Sequence, residues 1–309
     1  MASNRVGFNR DNFLEFFGDI KIANQSMAAV MEATEDPRDA GVVKIMGLLE
    51  GTVDKLMDAV NSGGKKILWH SGVLSPEMFF CFDNVEPFAM EVPIFMVSFC
   101  DPDGVGEYID IAEQIGMPSD ICGTDKGTLG FALQEMLPPA DMVVLGTVPC
   151  DSVMCGHQVM EKLMDSPFCY LDMPEIPDER GLDLIVHHIK KMIKQIEVNL
   201  NTRLDWDKFK HHIELANAQQ EYLLAENELR RMTPCPHGGR LGTITSFLNF
   251  IASGTEAGRD VAKFIYEDAK RLVAAGKGVV NGQERGRLMW YYPDPLYDLG
   301  IHDWLEDDY

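Results

Sequence analysis

The chain has 309 residues, 46% of them hydrophobic and 25% charged, the make-up of an ordinary globular protein. Its 49 acidic against 27 basic side chains leave a net charge of −22, which argues against nucleic acid or an anionic membrane as a partner. No apolar run reaches bilayer-spanning length, and Arg5, Asp11, Glu15 and Asp19 interrupt the first twenty residues, so we read neither a span nor a signal peptide and expect a cytoplasmic protein.

Residues 1–65 read as an N-terminal helical segment, with Asp36-Pro37 opening a second helix that runs through Met57 and Val60. Gly63-Gly64 then punctuates the chain before the short strand Ile67-Leu68-Trp69-His70. From residue 66 to 178 short apolar runs alternate with helical patterns, which predicts an α/β domain with a parallel sheet. Its expected parts are a helix over 76–82, a strand-sized apolar segment over 92–99, and a helix over 105–115. A Gly-rich turn around Cys122 follows, then a helix over 129–136, a strand over 142–148, a helix over 154–164 and a strand over 168–173. Residues 179–283 are helical in period throughout. Arg287-Leu288-Met289-Trp290 reads as a strand and Ile301 to Leu305 as a helix, so 284–309 looks like the start of a second α/β domain, cut short at Tyr309.

Seven cysteines without regular spacing favour reduced thiols or metal ligands over a disulfide framework. Cys122 lies in the polar turn Ser119-Asp120-Ile121-Cys122-Gly123-Thr124-Asp125-Lys126-Gly127, and Cys150 follows the buried strand. Open parallel sheets bind ligands at the carboxyl ends of their strands, so two thiols delivered there point to one shared ligand set. A helix N-terminus with Lys126 nearby favours thiolate at Cys122, and Gly123 and Gly127 leave room for a bulky group. Cys81, Cys100 and Cys169 fall in apolar runs and are expected in the core. Cys155 and His157 read as helix packing, with a ligand role as the alternative. Cys235 and His237 sit in a turn-rich connector. The pairs His187-His188 and His211-His212 lack the spacing that brings two imidazoles onto one helix face. His70 and Ser71 end the first strand, at the edge where such sheets bind ligands. Glu77 follows Pro76 as a helix-start carboxylate, for which capping and catalysis both remain open.

The ordered set Lys66-Ile67-Leu68-Trp69-His70-Ser71, Ser75-Pro76-Glu77, Ser119-Asp120-Ile121-Cys122, Asp141-Met142-Val143-Val144 into Cys150-Asp151, and Tyr170-Leu171-Asp172-Met173-Pro174 resembles the 2-hydroxyacyl-CoA dehydratase and benzoyl-CoA reductase family. Arg287-Leu288-Met289-Trp290 through Asp303-Trp304-Leu305-Glu306 extends the likeness over nearly the whole chain. The resemblance implies a flavodoxin-like α/β fold and an iron–sulfur subunit with a [4Fe-4S] cluster held by three cysteines. Two of those positions match Cys122 and Cys150, and the third is expected beyond Tyr309. It further implies an ATP-hydrolysing iron–sulfur activator that injects one electron, a ketyl radical on an acyl-CoA thioester, loss of the 2-hydroxyl as water, and a heterodimer with a related subunit. Catalytic contacts are expected at Ser71 and Glu77. Two alternatives stay open: a benzoyl-CoA reductase-type subunit, and a non-catalytic subunit that carries a cluster or supports a partner. No phosphate-binding loop motif occurs, so ATP is expected to be hydrolysed by the partner.

Overall fold

A computed structural model describes residues 6–34, 36–101, 103–148, 150–174, 176, 178–280, 283–291, 295–296 and 298–308. Two long helices open the chain, α1 (Arg10–Thr34) and α2 (Ala40–Ser62). Gly63 ends α2 in the left-handed conformation (φ 62°), its N–H returning to the carbonyl of Ala59, and this turns the chain directly into β1 (Lys66–His70). A short 3-10 turn (Pro76–Met78), β2 (Val85–Ala89), α3 (Val92–Cys100), α4 (Val105–Gln114) and α5 (Gly123–Leu133) follow. Then come β3 (Met142–Gly146), α6 (Asp151–Leu163) and β4 (Phe168–Leu171). The helices α7 (Glu179–Leu200), α8 (Trp206–Leu229), α9 (Gly239–Ile251), α10 (Glu256–Ala274) and α11 (Gly300–Asp308) complete the order.

The four strands pair in parallel in the order β2-β1-β3-β4. This is the α/β parallel-sheet class expected of the sequence. Successive side chains of a strand point to opposite faces. Ile67, Trp69, Val143 and Leu145 accordingly join α1, α2, α3 and α9 in one apolar cluster. Leu68, Met142, Val144, Cys169 and Leu171 join Met192, Ile196 and Leu200 of α7 in another. Covered on both faces, β3 is buried at every position, which is why it reads as an unbroken apolar run.

Several sequence expectations need correction. β2 went unseen because Pro87 breaks a strand pattern; the structure puts it at the sheet edge, where a missing N–H is tolerated. The segment 92–99 is helical, not strand-sized sheet. Short apolar runs carry no period that separates buried helix from buried strand, and Pro93 in its first turn suits a helix start. The expected helix over 76–82 shrinks to the single turn Pro76–Met78. Residues 287–290 pair with no strand among the described residues: Leu288 (80% exposed) and Met289 (88%) stand in solvent, and an apolar run without a neighbouring edge gains nothing from extension. The apolar cluster that holds α1 and α2 also contains residues of the sheet, α9 and α10. Among the described residues no helix is long and apolar enough to cross a membrane.

The last helix is fixed by charge. The Gly239 N–H, in the uncapped first turn of α9, donates to Glu306 at 2.7 Å. Arg240 pairs with Asp303 and Asp39, each at 3.1 Å, and Arg38 with Asp307 at 2.8 Å.

Candidate functional site

Strand order reverses between β1 and β3, because the chain leaves β1 toward β2 on one side and returns with β3 on the other. Their carboxyl ends therefore frame the crevice in which open α/β sheets bind ligands. β1 delivers His70 and Ser71 to this edge, and β3 delivers the loop that leads to Cys150.

Ser71 is fully buried, and its hydroxyl donates to Glu91 Oε1 at 3.0 Å. The Gly72 N–H donates to Glu91 Oε2 at 2.7 Å, so both carboxylate oxygens are held by β1's exit turn. Glu91 occupies the N-cap position of α3 without capping it through its side chain. The sequence reading missed it; the signal available was a carboxylate directly before Val92-Pro93 in an otherwise apolar run. The His70 imidazole is buried beside Phe79, and burial pushes its pKa below the ordinary value of 6.5, which keeps the ring neutral.

Cys122 and Cys150 occupy equivalent positions: each is the N-cap of a helix, α5 and α6 respectively, neither caps through its side chain, and both are exposed. The two helix starts are tied together. The Cys122 N–H donates to Ser152 Oγ at 2.9 Å, and the Ser152 hydroxyl donates to Asp125 Oδ2 at 2.5 Å. Burial raises the pKa of Asp125, against the Ser152 hydrogen bond, which lowers it. Two exposed thiols thus sit on adjoining helix N-termini, where the first-turn N–H groups point toward them.

Lys126 does not supply the charge expected of it near Cys122. Its buried ammonium pairs with Glu113 at 2.6 Å and donates to the carbonyl of Ser119. Gly127 likewise serves packing: a Cβ there would drive into Ile94 of α3. The remaining thiols differ from the exposed pair. Cys81 and Cys169 are buried, which pushes their pKa up to about 12 and about 11. Cys100 is raised by burial as well, and Cys155 is half-buried on α6.

Glu77 lies elsewhere. A Cβ on Gly254 would run into it, and its carboxyl, raised by burial, feels Ser253, Ser75 and His212 rather than the residues around Glu91. In the connector between α8 and α9, His237 is buried between Glu226 (2.9 Å) and Asp268 (3.2 Å), while the Cys235 thiol donates to the carbonyl of His237. An apolar cavity of about 250 Å³ runs beside the site, lined by His70, Phe88, Val92, Met96 and Phe250 among others.

A model of the 2-hydroxyglutaryl-CoA dehydratase, D-component family matches residues 77–308, three quarters of the chain. The chain belongs to that family. The stretch matching the D-component family takes in Glu91, Cys122, Asp125, Cys150 and Ser152, and begins just after Ser71. The chain is also similar to the (R)-phenyllactyl-CoA dehydratase alpha subunit of Clostridium sporogenes, 21% identical over 188 residues. That alignment covers 58% of this chain and 46% of the relative, so it spans about half the relative's length. Cys122 and Cys150 are exposed thiols, the kind of donor an iron–sulfur cluster takes, but among the described residues no group of three or more His, Cys, Asp or Glu gathers to hold a metal ion.

Proposed function

We propose that this chain is a subunit of a 2-hydroxyacyl-CoA dehydratase, and that Ser71, Glu91, Cys122 and Cys150 are the parts of the active site it contributes. The observation that carries this reading is a convergence. A buried hydroxyl–carboxylate pair and a pair of exposed thiols both stand at the carboxyl edge of the β1–β3 switch point. Family membership supports the dehydratase class, and the relative's designation as an alpha subunit supports a second, related subunit.

In this reading Cys122 and Cys150 ligate two positions of a [4Fe-4S] cluster, with a further ligand from outside the described residues. When bound, the cluster supplies a single electron, received from an ATP-hydrolysing activator, to a thioester that two-electron chemistry leaves inert. The chain's own residues orient the departing oxygen. A hydroxyl leaves more readily with a donor placed on its oxygen, and a carboxylate that holds a neighbouring hydroxyl in place keeps such a donor ready. Glu91 is that carboxylate, and Ser71 is the hydroxyl that turns to the substrate oxygen. The apolar cavity beside His70 takes up the acyl portion. Glu77 is assigned to packing of the 3-10 turn against the α9–α10 junction.

The test is anaerobic purification of the full-length protein with iron and sulfide analysis. Cys122→Ala and Cys150→Ala are expected to lose most of the iron, Cys155→Ala to keep it. With its partner, activator and ATP, the loaded protein is expected to dehydrate a 2-hydroxyacyl-CoA. Equal iron loss in all three variants overturns the ligand assignment, and a loaded, inactive assembly overturns the reaction.

A further inference from the structure

His157 is 1% exposed, and neither of its ring nitrogens has a hydrogen-bond partner. A buried polar group left in that state costs about 1–3 kcal/mol, so the ring gains from any hydrogen-bond partner that comes within its reach. Its Nε2 lies 3.9 Å from Glu91 Oε1, beyond hydrogen-bond length but within about an ångström of it. That oxygen is the one that now accepts the Ser71 hydroxyl. The preceding residue, Gly156, packs α6 closely on α5: an added Cβ there would stand 3.0 Å from Asp125 Cβ. The carboxyl of Asp125, raised chiefly by burial, is raised further by Glu91 and lowered by His157, which puts all three in one buried electrostatic group.

Ser71 has one hydroxyl proton. If it turns to a substrate oxygen, Glu91 Oε1 loses its donor while still buried, and a buried carboxylate that loses a donor shifts or becomes protonated. We propose that His157 is a positioning residue that replaces Ser71 as the donor to Glu91 Oε1 when Ser71 engages substrate. The carboxylate then keeps its place through the exchange, Gly72 holding one oxygen throughout and His157 taking over the other. This role rests on the proposed part of Ser71 and Glu91 in handling the substrate's oxygen.

The exchange is testable on the chain alone, because Ser71→Ala removes the same donor that a substrate would withdraw. The His157 ring signal in proton–nitrogen NMR, assigned by its loss in His157→Gln, is expected to move downfield in Ser71→Ala as the ring N–H bonds to Glu91. A double-mutant cycle gives the second readout. His157→Phe is expected to leave the melting temperature unchanged or higher in the wild-type background and to lower it in the Ser71→Ala background. In the assembled, cluster-loaded enzyme His157→Phe is expected to reduce kcat at least about tenfold with little change in KM, a loss of about 1.4 kcal/mol or more of transition-state stabilisation. His157→Gln, which retains an N–H, should recover part of that. An unmoved ring signal together with additive melting shifts overturns the donor exchange. Should wild-type protein take up no iron and turn nothing over, the dehydratase reading falls, and the NMR comparison and the cycle still decide the exchange.

Discussion

The backbone amide of Cys122 donates to the hydroxyl of Ser152 across 2.9 Å, so the loop bearing one exposed thiol is tied to the first turn of the helix that begins at the other, Cys150. Ser152 in turn donates to the buried carboxyl of Asp125. Replacing it by Ala leaves both a buried acceptor and the Cys122 amide without a partner. Ser152→Ala is expected to cost about 1–3 kcal/mol in urea unfolding, and Ser152→Thr, which keeps the hydroxyl, clearly less. Equal costs would mean that the tie does not hold the two helix starts together.

The buried His237 makes stability depend on pH. Burial disfavours its charged ring, but hydrogen bonds to Asp268 and Glu226 outweigh that and raise its pKa above 6.5. A raised pKa contributes stability that is complete below 6.5 and lost as pH rises through the folded-state value. Glu226 and Asp268 are lowered against the effect of burial by the same bonds, so their contribution is lost in acid instead. His70, lowered by burial, has the opposite sign from His237 and favours the fold as pH rises toward 6.5. Melting curves of wild type and His237→Gln are therefore expected to converge above neutrality and to separate near pH 6, with wild type the more stable. Parallel curves across that range would sink the assignment.

How much of this was legible in the sequence differs by element. β1, β3 and β4 announced themselves as apolar runs, and α7 and α8 as stripes of helical period, because a strand buried on both faces and a helix buried on one leave those marks. β2 left none, since an edge strand containing Glu86 and Pro87 satisfies neither pattern. The exposed thiols at 122 and 150 were legible from turn chemistry. The partnership of Ser71 with Glu91 was not: the two are brought together by the parallel pairing of β1 with β2, a relation that exists only once the sheet has formed.

Two glycines separate packing from conformational freedom. A Cβ on Gly130 would strike the carbonyl of Tyr108, and backbone cannot rotate aside. Gly130→Ala is expected to destabilise by about 1–3 kcal/mol by forcing α5 away from α4. Gly18 sits within α1 with nothing near its Cβ position, so Gly18→Ala should stabilise by about 0.5–1 kcal/mol. Thermal melts of the two variants should move in opposite directions; a shared direction would refute the close α4–α5 approach.

Of the carboxylates that dock α11, Glu306 alone accepts a backbone amide of α9. Glu306→Ala removes the acceptor for the Gly239 amide and should cost about 0.5–2 kcal/mol, as loss of a helix cap does. Limited proteolysis is the sensitive measurement, because the helix should open before the rest of the fold. Cleavage after residue 299 is expected to accelerate in the variant; an unchanged digestion pattern would show that the Arg240–Asp303 and Arg38–Asp307 pairs hold the helix unaided.

α5 and α6 begin side by side, each with a cysteine at its cap and no side chain of that residue closing its first turn. Two like-signed dipole ends placed together repel, and the repulsion weakens whenever negative charge settles between them. Any anionic occupant of the thiols therefore binds the folded chain in preference to the unfolded one, and occupancy and folding become a single linked equilibrium. Stripping that occupant should loosen the start of both helices together, so the loss would register as a change in global stability as well as in chemistry.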